Sequence, residues 1–185
     1  MRHIYLLILS FFLCVPPSSL ANQKELELLN QVGKIIFIRH AYAPGGGDPS
    51  NFSLDDCKTQ RNLNQQGIEQ SILLGKIFQD NNISFDKVYS SQWCRCIDTA
   101  QYAFGEYQEL NLLNSTFSHN YQKNHLRQMK ELKKLIFNLK EDHGNIIFIT
   151  HYVIIGGILD YYPNSGEIVI ADKSLKVLGS IKTSY

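Results

Sequence analysis

Two residue pairs, Arg39-His40 and Thr150-His151, each follow a short apolar run, Lys34 to Ile38 in one case and Ile146-Ile147-Phe148-Ile149 in the other. Runs this short and β-branched, bounded by turn residues such as Pro44-Gly45-Gly46-Gly47, predict strands buried on both faces. In open α/β sheets, ligands bind just beyond the carboxyl ends of such strands. Two histidines at two such ends, one beside an arginine, imply a single site for an anion.

The elements that must position these residues can be traced along the chain. After the first strand, residues 41–62 are rich in Gly, Pro, Asp, Ser and Asn without a period, which predicts a long loop; loops of this length in a compact domain usually carry function. Asn64 then caps a helix over residues 65–79, with Ile68, Ile72 and Ile77 on its inward side and Gly75 allowing close approach. A strand over 86–91 leads into a helix over 92–104 that stops at Gly105. Residues 107–113 read as an edge strand. Leu126, Met129, Leu132, Ile136 and Leu139 repeat at helical spacing over 124–142, ending at Gly144. The second histidine-bearing strand follows, then a short apolar helix over 153–161, a turn, a strand over 167–171 and its hairpin partner over 175–181. Alternating strands and helices predict an α/β fold, a mainly parallel sheet with helices on both faces.

At 185 residues, 44% hydrophobic and 19% charged, the chain fits one folded domain with a sizeable core. A net charge of +1 leaves no excess of Lys and Arg for a phosphate backbone, which argues against a nucleic-acid partner. Residues 1–21 have a short basic start, an apolar run and small residues ahead of Asn22, the layout of a secretory signal peptide. The expectation is therefore an exported domain over 22–185, periplasmic or secreted, with no stable membrane insertion after cleavage; residues 22–31 would be a short helix or a loose arm. Of four cysteines, Cys14 would leave with the leader. An oxidising compartment permits a disulfide, and Cys94 with Cys96 would be strained, so Cys57 paired with one of them is expected. Buried free thiols rank second and a metal site third, because Cys94-Arg95-Cys96 lacks zinc spacing.

The motifs resemble those of the histidine phosphatase superfamily, which includes phosphoglycerate mutases and many phosphatases. Arg39-His40-Ala41 matches its opening tripeptide, and Leu63-Asn64-Gln65-Gln66-Gly67-Ile68-Glu69-Gln70 matches its Leu-Thr-x-x-Gly-x-x-Gln helix start. Ser90-Ser91-Gln92-Trp93-Cys94-Arg95-Cys96-Ile97-Asp98-Thr99-Ala100 matches its Arg-bearing segment, and Thr150-His151 its closing strand. The resemblance implies a three-layer α/β/α sandwich like that of phosphoglycerate mutases, no cofactor and no metal. It implies that His40 is the nucleophile that forms a phosphohistidine, and that Arg39, Arg95 and His151 hold the phosphoryl group. Guanidinium forks suit phosphoryl oxygens, and neighbouring positive charge keeps an imidazole unprotonated and nucleophilic.

Around this set, Arg61 is a candidate substrate contact, competing with a plain surface role. Asn64 and Gln70 read as structural, and Trp93 as a wall or core residue. His119, His125 and His143 show no partner in the sequence, and His143 would complement a helix dipole. Many members of the family carry a proton-donating acid near position 114, where this chain has Asn114. Candidate donors elsewhere are Asp48, Asp55, Asp56, Glu109 and Glu167, acidic residues that are more often simply solvated. Without an acid, an alkoxide leaves poorly, whereas an anhydride, aryl phosphate or phosphohistidine needs one less. The expected partner is a small phosphorylated substrate, an exported enzyme meeting envelope sugar phosphates among others. A module of the same fold that binds a phosphorylated ligand without turnover is the alternative.

Overall fold

Six strands form one sheet in the computed structural model, which describes residues 17–117, 119–140, 142 and 144–184. They are β1 (Ile35–Arg39), β2 (Lys87–Ser90), β3 (Gln108–Glu109), β4 (Ile146–Thr150), β5 (Ile168–Ala171) and β6 (Val177–Ile181). The order is β3-β2-β4-β1-β5-β6. The strands from β3 to β1 are parallel; β5 runs antiparallel to β1, and β6 antiparallel to β5. The mixed edge follows from connection length: only a tight turn at Asp172 to Leu175 separates β5 from β6, too short for a parallel crossover.

Strand alternation divides the core in two. Ile36, Ile38, Ile147 and Ile149 face helices α1 (Pro17–Leu29), α2 (Gln65–Asp80) and α3 (Cys94–Phe104), meeting Leu29, Leu74, Phe78 and Ala100. Ile35, Phe37, Ile146 and Phe148 face α5 (His125–Phe137) and α6 (Tyr152–Leu159), meeting Met129, Leu132, Ile136, Ile154 and Ile155. A short helix, α4 (His119–Gln122), precedes α5. The result is a three-layer α/β/α sandwich.

Several expectations change at the level of packing. Ile72 is 46% exposed, and α2 instead buries Gly67, Gln70, Ser71, Leu74 and Phe78. Small residues set this rotation: a Cβ on Gly67 would lie 2.0 Å from the Tyr42 carbonyl oxygen, and one on Gly75 2.2 Å from that of Ala103. Leu126, 84% exposed, stays out of the core and lines an open groove, while α5 stops at Phe137 rather than near Gly144. The edge strand shrinks to β3 followed by a 3-10 turn over Asn111–Leu113.

The segment after residue 22 is not a loose arm. Leu29 is fully buried and its carbonyl accepts from Asn145 Nδ2 at 2.8 Å, so α1 closes the β5–β6 side of the sheet. α1 begins at Pro17 and runs through the expected cleavage point, whereas residues 1–16 of the expected leader lie outside the described residues. Among the described residues, no helix is long and apolar enough to cross a membrane. Cys57 and Cys94 form the disulfide, with sulfurs 2.03 Å apart, and Cys96 is a free, buried thiol.

Candidate active site

Parallel pairing of β1 with β4 sets Arg39 opposite Thr150, so the next residue of each strand, His40 and His151, emerges side by side. Their rings lie 5.4 Å apart, centroid to centroid, and both side chains are 2% exposed. The chain leaves β1 toward α2 on one face and β4 toward α6 on the other. The crevice therefore opens at a topological switch point, at the carboxyl ends of the strands. β2 ends beside them, and α3, which follows it, brings in Arg95. A cavity of about 170 Å³ results, lined by Arg39, His40, Arg61, Arg95 and His151, with Asp48, Trp93, Ser115, Phe117, Tyr152 and Gly45 to Gly47 completing its wall.

His40 is held in a single tautomer. Its Nδ1 lies 2.8 Å from the Ala41 carbonyl oxygen. A carbonyl only accepts, so Nδ1 carries the proton and Nε2 keeps the lone pair. Burial, reinforced by the charges of Arg95, Arg39 and Arg61, pushes its pKa well below the usual histidine value, so the ring is neutral at pH 7. The Ala41 amide donates to Thr99 Oγ1, which donates to the Arg95 carbonyl, coupling the backbone beside His40 to α3.

His151 is likewise neutral, through burial first and then the charges of Arg95, Arg61 and Arg39. Its Nε2 faces Ser91 Oγ at 3.0 Å and Cys96 Sγ at 3.5 Å. Ser91 Oγ also lies 3.2 Å from Asn114 Oδ1. That oxygen is fixed as an acceptor by the Gln92 amide, while Asn114 Nδ2 donates to Gln92 Oε1. The Ser91 hydroxyl proton serves one acceptor at a time. Directed to His151 Nε2, it places the imidazole proton on Nδ1; directed to Asn114, it leaves the proton on Nε2. Burial pushes the Cys96 thiol up to about 12, so it stays protonated beside this relay.

The arginines differ in what holds them. Arg39 lies over the Tyr152 ring at 5.3 Å and donates to the Pro163 carbonyl at 2.9 Å. Glu167 shapes that turn: its carboxylate accepts from the Tyr161 hydroxyl and from the Asn164 amide. Arg61 donates from Nε to Gly47 O and from Nη1 to Ala43 O, folding the glycine-rich loop against the cavity. Arg95 is 3% exposed and forms a bidentate pair with Asp48, at 2.7 and 3.2 Å.

Asp48 is therefore inside the site but is not shaped as an acid. Burial alone would raise its pKa, yet Arg95 outweighs it, with help from the Trp93 indole at 3.0 Å, and holds the carboxyl below the usual range. The other candidate donors lie elsewhere: Asp55 and Glu109 are exposed and away from the cavity wall, Asp56 caps a 3-10 turn through the Lys58 amide, and Glu167 is the turn-former. Trp93 is a wall residue, stacked 5.1 Å from Phe52. Asn64 caps α2 by accepting from the Gly67 amide. Gln70 joins the Tyr42 amide to the Ser165 carbonyl and Thr183. His125 pairs with Thr116 Oγ1 at 2.7 Å, and His143 and the side chain of His119 lie outside the described residues. Sequence reasoning missed Phe117 and Ser115 as lining residues, because nothing in residue type or spacing marks them, and Tyr152, whose place directly after His151 was a usable signal.

The long loop carrying Asp48 and Arg61 is fastened to α3 at adjacent points. These are the Cys57–Cys94 bridge, the Cys94 amide donating to Gln60 Oε1 at 3.0 Å, and the Asp48–Arg95 pair.

A family model for the histidine phosphatase superfamily, branch 1, matches residues 35–116, which hold His40, Arg61 and Arg95. No curated protein sequence gives a significant match. Among solved structures, the protein histidine phosphatase SixA complexed with tungstate aligns at a TM-score of 0.56 and 15% identity, over 79% of this chain and 93% of that one. The SixA protein of Agrobacterium tumefaciens aligns at 0.56 and 14%, over 83% and 100%. A phosphoserine phosphatase from Entamoeba histolytica, in complex with 3-phosphoglyceric acid, aligns at 0.57 and 18%, over 82% and 98%. At such identities these likenesses speak for the fold. Joined to the family match and to the Arg-His pair at the end of β1, they lead to one conclusion: the chain has the fold and, over residues 35–116, the sequence signature of the histidine phosphatase superfamily.

Proposed function

We propose that the protein is a phosphatase that transfers a phosphoryl group to His40 and then to water. One observation carries the reading. His40 is neutral, its Nδ1 is tied to a carbonyl, and it shares a small cavity with three guanidinium groups and a second neutral imidazole. The arginines and His151 neutralise and orient the phosphoryl oxygens, the Nε2 lone pair attacks phosphorus in line, and the leaving oxygen departs with its electron pair. Water then attacks the phosphohistidine. The rate gain comes from positioning and fixed positive charge, as in other phosphoryl transfers. The expected leader and the Cys57–Cys94 disulfide together support work in an oxidising, exported location.

Incubation with a ³²P-labelled phosphomonoester, quenched rapidly, should give an acid-labile, alkali-stable phosphoprotein. His40→Ala should abolish the label and lower kcat by at least about 10⁴-fold, the scale of a lost nucleophile. An absence of turnover across a broad panel of phosphomonoesters, anhydrides and phosphoramidates would sink the proposal. A second reading, a phospho-ligand module without turnover, draws on the Asp48 carboxylate that already occupies Arg95. Tight binding of inorganic phosphate with no labelling of His40 would favour it.

A further inference from the structure

The cavity that holds the nucleophile is small, about 170 Å³, so most of any substrate must lie outside it, over the rim. On one side that rim is aromatic. Phe117 and Tyr152 line the cavity and lie 6.0 Å apart, and Tyr152 lies 6.5 Å from Tyr162. Phe117 is shared with an adjoining groove of about 520 Å³, whose wall continues through Tyr162, Leu126, Val153 and His125. Three of these are open to solvent: Phe117 at 57%, Tyr162 at 67% and Leu126 at 84%.

The groove is built by the backbone rather than left by chance. Gly156 and Gly157 of α6 lie beneath it. A Cβ on Gly156 would lie 2.3 Å from the Tyr162 ring, and one on Gly157 2.9 Å from the His125 ring. Two adjacent glycines in an eight-residue helix cost helical stability, and what they permit is close seating of these two rings. Thr116 Oγ1 fixes the His125 ring from the other side.

A second, independent observation concerns protons. Among the described residues, Asp48 is the one carboxyl group on the cavity wall, and it is a carboxylate paired with Arg95. Both histidines are neutral, and the buried thiol is protonated but very weakly acidic. Among the described residues of the wall, no carboxylic acid or imidazolium stands ready to protonate a departing alkoxide. The favoured leaving group is then one that stabilises its own negative charge, which a phenoxide does by delocalisation and an alkoxide does not.

We infer that the preferred substrates are phosphomonoesters of aromatic alcohols, with the aryl group seated on Phe117, Tyr152 and Tyr162. The inference deepens the phosphatase reading and rests on it. In the step, the His40 Nε2–P bond forms as the P–O(aryl) bond breaks. The aryl oxide leaves with the bonding pair and takes its proton from water outside the cavity, and a second water hydrolyses the phosphohistidine to inorganic phosphate. Offset stacking on such a rim contributes about tenfold in affinity.

Binding and turnover test separate parts of the idea. Phenylphosphonate, which has no scissile P–O bond, should bind about tenfold more tightly than methylphosphonate by calorimetry. That ratio should fall toward one in Phe117→Ala and in Tyr162→Ala, both exposed positions that leave the core intact. Phenyl phosphate should exceed glycerol phosphate and sugar phosphates in kcat/KM by at least a hundredfold. Equal affinity for the two phosphonates overturns the inference, as does comparable turnover of sugar phosphates, while leaving the phosphatase reading standing. Binding of neither phosphonate, with no turnover of any ester, overturns the phosphatase reading itself.

Discussion

Asp48 is the residue on which the site's electrostatics turn. Its carboxylate neutralises Arg95, the most buried of the three arginines on the cavity wall, and also accepts from the Arg61 amide and the Trp93 indole. An anion entering the cavity must share Arg95 with a carboxylate or displace it. Asp48→Asn keeps the shape and one acceptor but removes the charge. At the effective dielectric of a partly exposed site, losing one negative charge from the wall is worth about 1–2 kcal/mol to a bound anion, so inorganic phosphate should bind roughly tenfold more tightly. The variant should also be less stable by about 2–3 kcal/mol, because a buried guanidinium loses its counter-charge. Calorimetric titration and chemical denaturation measure the two effects. Weaker phosphate binding would mean instead that Asp48 acts by aiming Arg95. The sequence names Asp48 only as one acid among several in a loop. Its partner stands 47 positions away, and no local pattern announces a pairing set by tertiary contact.

At the scale of elements, the loop between β1 and α2 would be a long unstructured connection were it not fastened to α3. The Cys57–Cys94 bridge closes a loop with a sequence separation of 37, for which chain-entropy reasoning gives about 4 kcal/mol of stabilisation. Cys57 is exposed, so a reductant can reach the bond. Reduction, or the double substitution Cys57→Ser with Cys94→Ser, should lower stability by about 2–4 kcal/mol. It should lower kcat/KM as well, since the same loop carries Asp48 and Arg61. A thermal melt and an activity assay with and without dithiothreitol read both, and unchanged activity in the reduced protein would separate the bridge from the site. Which elements exist was legible in the residues: the two apolar strands, the cap at Asn64, the stop at Gly105 and the hairpin at the end of the chain all appear where periodicity and turn chemistry put them. Which way α2 faces was legible in part. Ile77 packs on the core and Gly75 makes the expected close approach, to Ala103, but Ile72 is exposed, and Gly67 against Tyr42 and a buried Gln70 complete the rotation. Hydrophobic period reports apolar side chains and is blind to a helix seated through its small residues.

Taken as a whole, the molecule gathers positive charge and neutral imidazoles at one end of the sheet, and the fold must bear the cost. The strand ends place His40 and His151 together because parallel register does so, and burial then keeps both rings unprotonated. In the unfolded chain each would titrate near pH 6.5. Between that value and the lower folded-state pKa, the unfolded chain binds more protons than the native protein, so stability rises with pH across this window and falls as pH drops below about 6.5. Asp48 acts with the same sign at lower pH: its folded pKa is also depressed, so its contribution persists through this window and is lost only as pH falls through the carboxylate range. The midpoint of urea unfolding should therefore fall in two acid phases, the first beginning near neutrality and belonging to the histidines. The double variant His40→Gln with His151→Gln should lose the first phase and keep the second. Saturating inorganic phosphate, whose negative charge favours protonated imidazole, should raise the folded pKa values and flatten the first phase in the native protein. A first phase unaltered by both treatments would place the titration outside the cavity and remove the argument that the site is held neutral by burial.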